Sequence, residues 1–298
     1  MAILFLLVGH FVPIPGLGIG TAGVNLFFVL SGLLMARLLF VDRVPLPVFY
    51  RRRIARIVPG LLVFVVLVVL AFALAGRPVS WSEVATALTF TKNYFLASAE
   101  DTKMPFGHIW SLSVEEHGYI LLSLLVLWTR FRNSTGTFLV LGAAVLCCFV
   151  AGFYIATLEG RDLNLHLAHT EVAAFGIFLS AGLYLLFRQF GMPQVHWLVY
   201  PALGLVGLAL HWWSVPVGLR SLGGVALFAV PLSEWVARAP TIWEKLQNEI
   251  SALREPMESV AAFQEQLTSV FGSASAMAVT VEDGGQVIGL AMLAPAIG

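Results

Sequence analysis

The chain has 298 residues, 59% of them hydrophobic and only 11% charged, with a mean hydropathy of +0.88. A soluble domain carries about 25% charged residues, so this composition excludes a water-soluble globular enzyme. It calls for an all-α, polytopic transmembrane bundle, and no nucleic-acid partner is expected. The 17 basic and 17 acidic side chains cancel, but fifteen of the basic and only ten of the acidic ones lie in residues 1–240. A basic membrane part, 1–238, is thus expected to precede an acidic soluble tail, 239–298.

The first apolar run follows Met1 with no charged leader or small-residue cleavage site, so no signal peptide is expected. It stops near Pro13, Pro15 and Gly16, giving about 12 residues where a spanning helix needs about 20. The run reads as a helix incomplete at its amino end, or one that does not span. Apolar stretches at 22–41, 57–76, 109–129, 136–158, 170–187, 196–213 and 218–236 have the length of spanning helices. With the first run they make about eight. The mixed stretch 83–97 reads as an interfacial or re-entrant segment.

Arginine sets the orientation. Arg37, Arg43, Arg51, Arg52, Arg53 and Arg56 crowd the connection after the second run, which the positive-inside rule puts in the cytoplasm. Arg130, Arg132, Arg188 and Arg238 then fall on the same side, and Glu83, Glu100, Asp101, Glu159 and Asp162 on the other. The adjacent Cys147 and Cys148 form no disulfide framework and read as packing residues. In the tail, 241–271 has helical charge spacing, and "AVTVEDGGQVIGLAML" (278–293) reads as two short strands about Asp283-Gly284-Gly285.

Ionisable groups at membrane depth are functional candidates because lipid makes them costly. His10, at a rise of about 1.5 Å per residue, lies near mid-membrane if Met1 is at the inner face. It could be a general base or a core histidine bonded to a carbonyl. Arg51, Arg52, Arg53 and Arg56 could anchor topology by snorkelling, or bind phosphates. Glu115 and Glu116 open a long apolar run. Ser113 to Glu116 fits a capping box, which would occupy Glu116 and leave Glu115 to orient a histidine or bind a sugar hydroxyl. His166 and His169, beside Glu171, lack the further ligands a metal site needs, and no metal is expected.

"GVNLFFVLSGLL" (23–34), "FYRRRIARIVP" (49–59) and "HIWSLSVEEHGYILL" (108–122) follow one another as in the integral-membrane acyltransferase-3 family. Residues 1–236 resemble that family, whose members typically O-acylate cell-envelope sugars or antibiotics. The resemblance implies that His10 is the catalytic base and that Arg51, Arg52, Arg53 and Arg56 handle the coenzyme A donor. Trp110, Ser111, Leu112 and Glu115 match the tryptophan-serine-leucine and glutamate motif. Ser31-Gly32 matches a serine-glycine step expected to allow close helix packing. It further implies acyl-CoA, with acetyl-CoA the expected donor, as a substrate rather than a tightly bound cofactor. A carbohydrate acceptor, membrane lipids and a bacterial cytoplasmic membrane complete the picture.

The departures are specific. The family's arginine eleven residues before the histidine would fall before Met1. His117-Gly118 replaces glutamine-phenylalanine, Glu171 stands where an arginine is common, and the last helices with their tyrosine–histidine motif are missing. Two alternatives therefore accompany the enzyme: a non-catalytic lipid or sugar flippase or scaffold, and a truncated, inactive acyltransferase.

Overall fold

A computed structural model describes residues 8, 18–98, 104–129, 133–191, 196, 198–211, 216, 218–234, 276–283 and 286–293. The chain divides into two units, Met1–Ala237 and Arg238–Gly298. The described part of the first is helical. In the second, strands β1 (Ala276–Asp283) and β2 (Gln286–Leu293) pair antiparallel, with Asp283 opposite Gln286. His10, the first apolar run apart from Val8, and the 241–271 segment lie outside the described residues.

Helix α1, Ile19–Ala36, runs into a π-helical turn, Arg37–Val41, and then a tight bend. There Arg37 pairs with Asp42 at 3.5 Å and Arg43 takes a left-handed φ of +50°. Helix α2, Leu46–Leu74, begins eleven residues before the apolar run at 57–76 that announced it. Pro45 and Pro47 explain the early start, because proline suits the first helical turn, where no backbone donor is needed. The four arginines are therefore inside a helix and not on a loop before it. Pro59 sits in that helix's interior.

The mixed stretch forms two short helices, α3 (Trp81–Leu88) and α4 (Lys92–Ser98), of 8 and 7 residues. Neither can cross a bilayer. A buried ion pair joins them: Lys92 Nζ lies 2.8 Å from Glu83 Oε2, and the Met104 amide donates to Glu83 Oε1 at 3.2 Å. Next come α5 (Ile109–Thr129), α6 (Asn133–Thr157), α7 (Gly160–His166), α8 (Thr170–Ala173) and α9 (Phe175–Phe190).

Among the described residues four helical spans are long and apolar enough to cross a membrane: Ile19–Val41, Leu46–Leu74, Thr135–Thr157 and Thr170–Phe190. Helix α5 has 21 residues but carries the acid pair. Within the runs at 196–213 and 218–236 lie the shorter apolar helices α10 (Val199–Ala209) and α11 (Leu222–Glu234), of which α10 has 11 residues. Eleven helical residues cover only about 16 Å of a hydrocarbon layer about 30 Å thick.

The main core centres on α9, which packs against α1 and α6 and gathers Phe28, Leu33, Val114, Leu122, Ile177 and Phe178. Cys147 is buried in it, as a packing residue should be. A second apolar cluster joins Leu61 and Val65 of α2 to Val84, Ala87, Met104 and Phe106. The outward row of α2, from Ile54 through Val63, Val66 and Leu70 to Leu74, is exposed. In a protein of this composition that is the surface lipid covers.

Gly32 sets the distance between α1 and α9. A Cβ there would run into the carbonyl oxygen of Ile177 and the hydroxyl of Ser180. Backbone cannot rotate aside, so Gly32→Ala must push the helices apart. Overpacking of this kind costs about 1–3 kcal/mol. The detergent-solubilised variant should melt several degrees below wild type by size-exclusion thermal scanning.

Candidate active site

Helix α5 starts at Ile109, and the Ser113 hydroxyl donates to the Ile109 carbonyl one turn back, at 3.1 Å. Ser113 is thus an interior residue, and the capping-box reading of Ser113 and Glu116 is incorrect. The helix is already a full turn old when the acids arrive, so Glu116 has no free amide to cap.

Both acids instead turn to Arg53 of α2. Its Nε donates to Glu116 Oε1 at 2.8 Å, and its Nη2 lies 3.8 Å from Glu115 Oε2. The guanidinium also lies over the Tyr119 ring, 3.5 Å from its centroid, a cation–π contact strengthened by desolvation. The other oxygen of Glu115 accepts from the Ser31 hydroxyl of α1 and from Tyr119 OH at 3.2 Å. Glu115 is 3% exposed and fully engaged. One carboxylate therefore ties α1, α2 and α5 together, with Tyr50 OH donating to Ser123 Oγ at 2.9 Å alongside.

The arginines do not act as one patch. Arg51, Arg52 and Arg56 are exposed, while Arg53 faces inward. Phe49, Arg53, Ile57, Leu61 and Val65 recur every four residues and trace the buried stripe of α2. That stripe was the available signal for singling out Arg53. Tyr119, four residues after Glu115 and so on the same face, could also have been inferred. Ser31 and Glu115, 84 residues apart, could not.

A second polar group surrounds Glu171, beside the start of α8. Tyr94 OH and Tyr154 OH donate to its two oxygens at 2.9 and 3.1 Å, and His169 Nδ1 lies 3.3 Å from Oε1. His117 Nδ1 lies 2.7 Å from Thr170 Oγ1, which also accepts from Asn93 Nδ2 at 3.0 Å. Burial lowers the His169 pKa, against the raising pull of Glu171. The imidazole is then neutral at pH 7, donating from Nδ1, with a buried Nε2 that has no partner. The His166 ring lies tilted beside it, centroids 4.9 Å apart. Among the described residues no three His, Cys, Asp or Glu side chains converge as a metal site requires.

Two cavities meet at Trp110. One, of about 670 Å³, is lined by Ile57, Gly60, Phe64, His108, Trp110 and Ser111. The other, of about 340 Å³, is lined by Asn25, Phe28, Trp110, Asn164, His211 and Arg220, among others. Trp110 is held edge-on against Phe28, centroids 6.0 Å apart, and Ser111 Oγ donates to the His108 carbonyl at 3.2 Å. Of the predicted site residues, the structure brings Arg53 and Glu115 into contact. It sets Trp110 and Ser111 at the cavities and leaves Arg51, Arg52 and Arg56 on the surface. His10 is outside the described residues.

The sequence profile of the acyltransferase-3 family, an acyltransferase domain, matches residues 1–230. The chain belongs to this family. It carries an acyltransferase domain and is an integral membrane protein. The O-acetyltransferase OatA of Staphylococcus aureus (strain NCTC 8325 / PS 47) is 30% identical over 170 residues, covering 49% of this chain and 28% of OatA. OatA of strain COL gives the same figures. An uncharacterized protein of Haemophilus influenzae (strain ATCC 51907 / DSM 11121 / KW20 / Rd) is 26% identical over 135 residues, 39% of this chain and 54% of that protein. The match spans little more than a quarter of OatA. No solved structure matches the chain.

Removing Arg53 from this acyltransferase domain leaves two neighbouring carboxylates without their cation. Breaking a buried pair from one side costs about 3–5 kcal/mol. Arg53→Met should lower stability by that order in thermal or denaturant melts. The triple variant Arg53→Met/Glu115→Gln/Glu116→Gln should recover much of the loss.

Proposed function

We propose that this chain moves an acyl group, specifically acetyl, from cytoplasmic acetyl-CoA to a hydroxyl of an extracytoplasmic carbohydrate, in a bacterial cytoplasmic membrane. The observation that carries this reading is the convergence of Ser31, Arg53 and Glu115. Each comes from a different one of the three family motifs, and they meet at one buried carboxylate. The similarity to OatA, an O-acetyltransferase, supports acetyl as the group moved.

The exposed Arg51, Arg52 and Arg56 take the phosphates of the donor, to which guanidinium offers paired N–H groups. Within one turn after Arg56, Ile57 and Gly60 line the larger cavity, which has room for the pantetheine arm. The arm carries the thioester toward Trp110. The acceptor enters from the opposite side.

His10 removes the proton from the acceptor hydroxyl as its oxygen attacks the thioester carbonyl. The tetrahedral intermediate collapses with cleavage of the C–S bond. The leaving thiolate takes the proton back from the imidazolium, so the histidine ends neutral. Glu115 has its oxygens filled by Ser31, Tyr119 and Arg53 and is a positioning residue. It fixes α1, α2 and α5 around the path on which donor and acceptor meet.

Radiolabelled acetyl-CoA offered to the purified protein with mixed envelope glycans tests the proposal. Label should reach glycan, and His10→Ala should lower transfer by about 10²–10⁴-fold, the usual worth of a general base. Undiminished transfer by that variant rejects the histidine mechanism. No transfer by wild type supports a non-catalytic membrane protein instead. In the same assay, replacing Arg51, Arg52 and Arg56 by Gln should raise KM for acetyl-CoA at least tenfold while largely sparing kcat.

A further inference from the structure

The smaller cavity is built around a side chain that lacks its counterpart. Arg220 lies in a π-helical turn, Leu219–Gly224, at the entry to α11. Such turns widen a helix to redirect a side chain and are common at functional sites. Arg220 lines the cavity, and its Nε is buried with no hydrogen-bond acceptor. Among the described residues no carboxylate lines the cavity and none pairs with Arg220. Arg220 as a whole is half-buried, and a buried guanidinium N–H left without an acceptor is costly. A ligand that brings a carboxylate removes that cost, and guanidinium geometry suits it.

The surroundings are fixed, as a binding site requires. His211 is fully buried and stacks on Phe228. Its Nδ1–H donates to the Gly207 carbonyl at 2.8 Å, which leaves Nε2 as the acceptor for Asn25 Nδ2 at 3.0 Å. Gly224 permits this, because a Cβ there would meet His211 Cε1 at 2.5 Å. His211 is thereby a neutral strut and supplies no charge to an anion. Asn164 spends its amide on the Gly160 carbonyl at 2.9 Å. The side-chain oxygens of Asn25 and Asn164 then remain as acceptors for hydroxyl groups. Trp110 offers an apolar wall against which a sugar's C–H face can lie. The volume of about 340 Å³ falls within the roughly 300–1,000 Å³ of small-molecule sites.

The geometry points to this cavity as the acceptor site, and to an acceptor that is an acidic sugar with its carboxylate on Arg220. This rests on the carbohydrate acyltransferase reading and adds the charge of the substrate, which that reading leaves open. Arg220 is then a specificity-determining residue, placed one tryptophan away from the donor cavity.

Binding separates this inference from the transfer reaction. Equilibrium dialysis of the purified full chain against labelled methyl glucuronoside and methyl glucoside should show at least tenfold tighter binding of the glucuronoside. Arg220→Gln should erase the difference by weakening the acid alone, and Arg220→Lys should restore part of it. Equal binding of the two sugars by wild type, or a preference that survives Arg220→Gln, overturns the inference. The wild-type comparison decides even if a variant misfolds. Preferential binding without any acetyl transfer would sink the enzyme reading and leave the cavity standing. Transfer to neutral glycans without an acid preference would do the reverse.

Discussion

Two carboxylates side by side in an apolar bundle cannot both be dry and charged unless a cation sits between them, and Arg53 is that cation. Leaving either acid without it costs several kcal/mol, comparable with a large part of a domain's net stability. The bundle can therefore close in only one register, the one that brings the second residue of the buried stripe on α2 to the second turn of α5. Ser31 adds α1 to the same point, so one guanidinium and one carboxylate fix three helices.

The apolar contacts follow from that anchor. Ser31 reaches Glu115, and its neighbour Gly32 lets α1 lie directly on the backbone of α9. Polar specificity and close packing thus occupy consecutive residues, which explains a serine followed by a glycine better than packing alone. On the far side, Trp110 opens α5 between two cavities, one reached along the arginine-bearing helix and one walled by Asn25 and His211. The division suits a reaction with two substrates of different character arriving separately.

Much of this was legible in the chain itself. Composition and the apolar runs gave the membrane bundle, because lipid demands long uninterrupted hydrophobic helices. The three motifs gave the family, and they meet at the candidate site. What stayed hidden were choices made by tertiary contact. Four arginines in six residues look alike until the four-residue stripe through Phe49, Arg53 and Ile57 meets a partner. The acid pair imitates a helix cap because Ser113 and Glu116 have the right spacing, and only the earlier start at Ile109 removes that option. Glu83 looks like a loop acid but is buried, since Lys92 folds back nine residues later to neutralise it. Arg220 gave no signal at all. Its importance depends on a widened turn and on there being no acid beside it among the described residues, neither of which a residue pattern carries.

Pro59 gives α2 a division of labour. Proline cannot donate to the carbonyl four residues back, so bending concentrates at that missing rung. Below it, Arg53 is clamped to the acids; above it, Leu61 and Val65 belong to the separate apolar cluster around Met104 and Phe106. On the proposed donor route, the pantetheine arm passes this helix to reach Trp110. With a soft joint between its halves, the outer lever can yield to such traffic while the inner one keeps its grip.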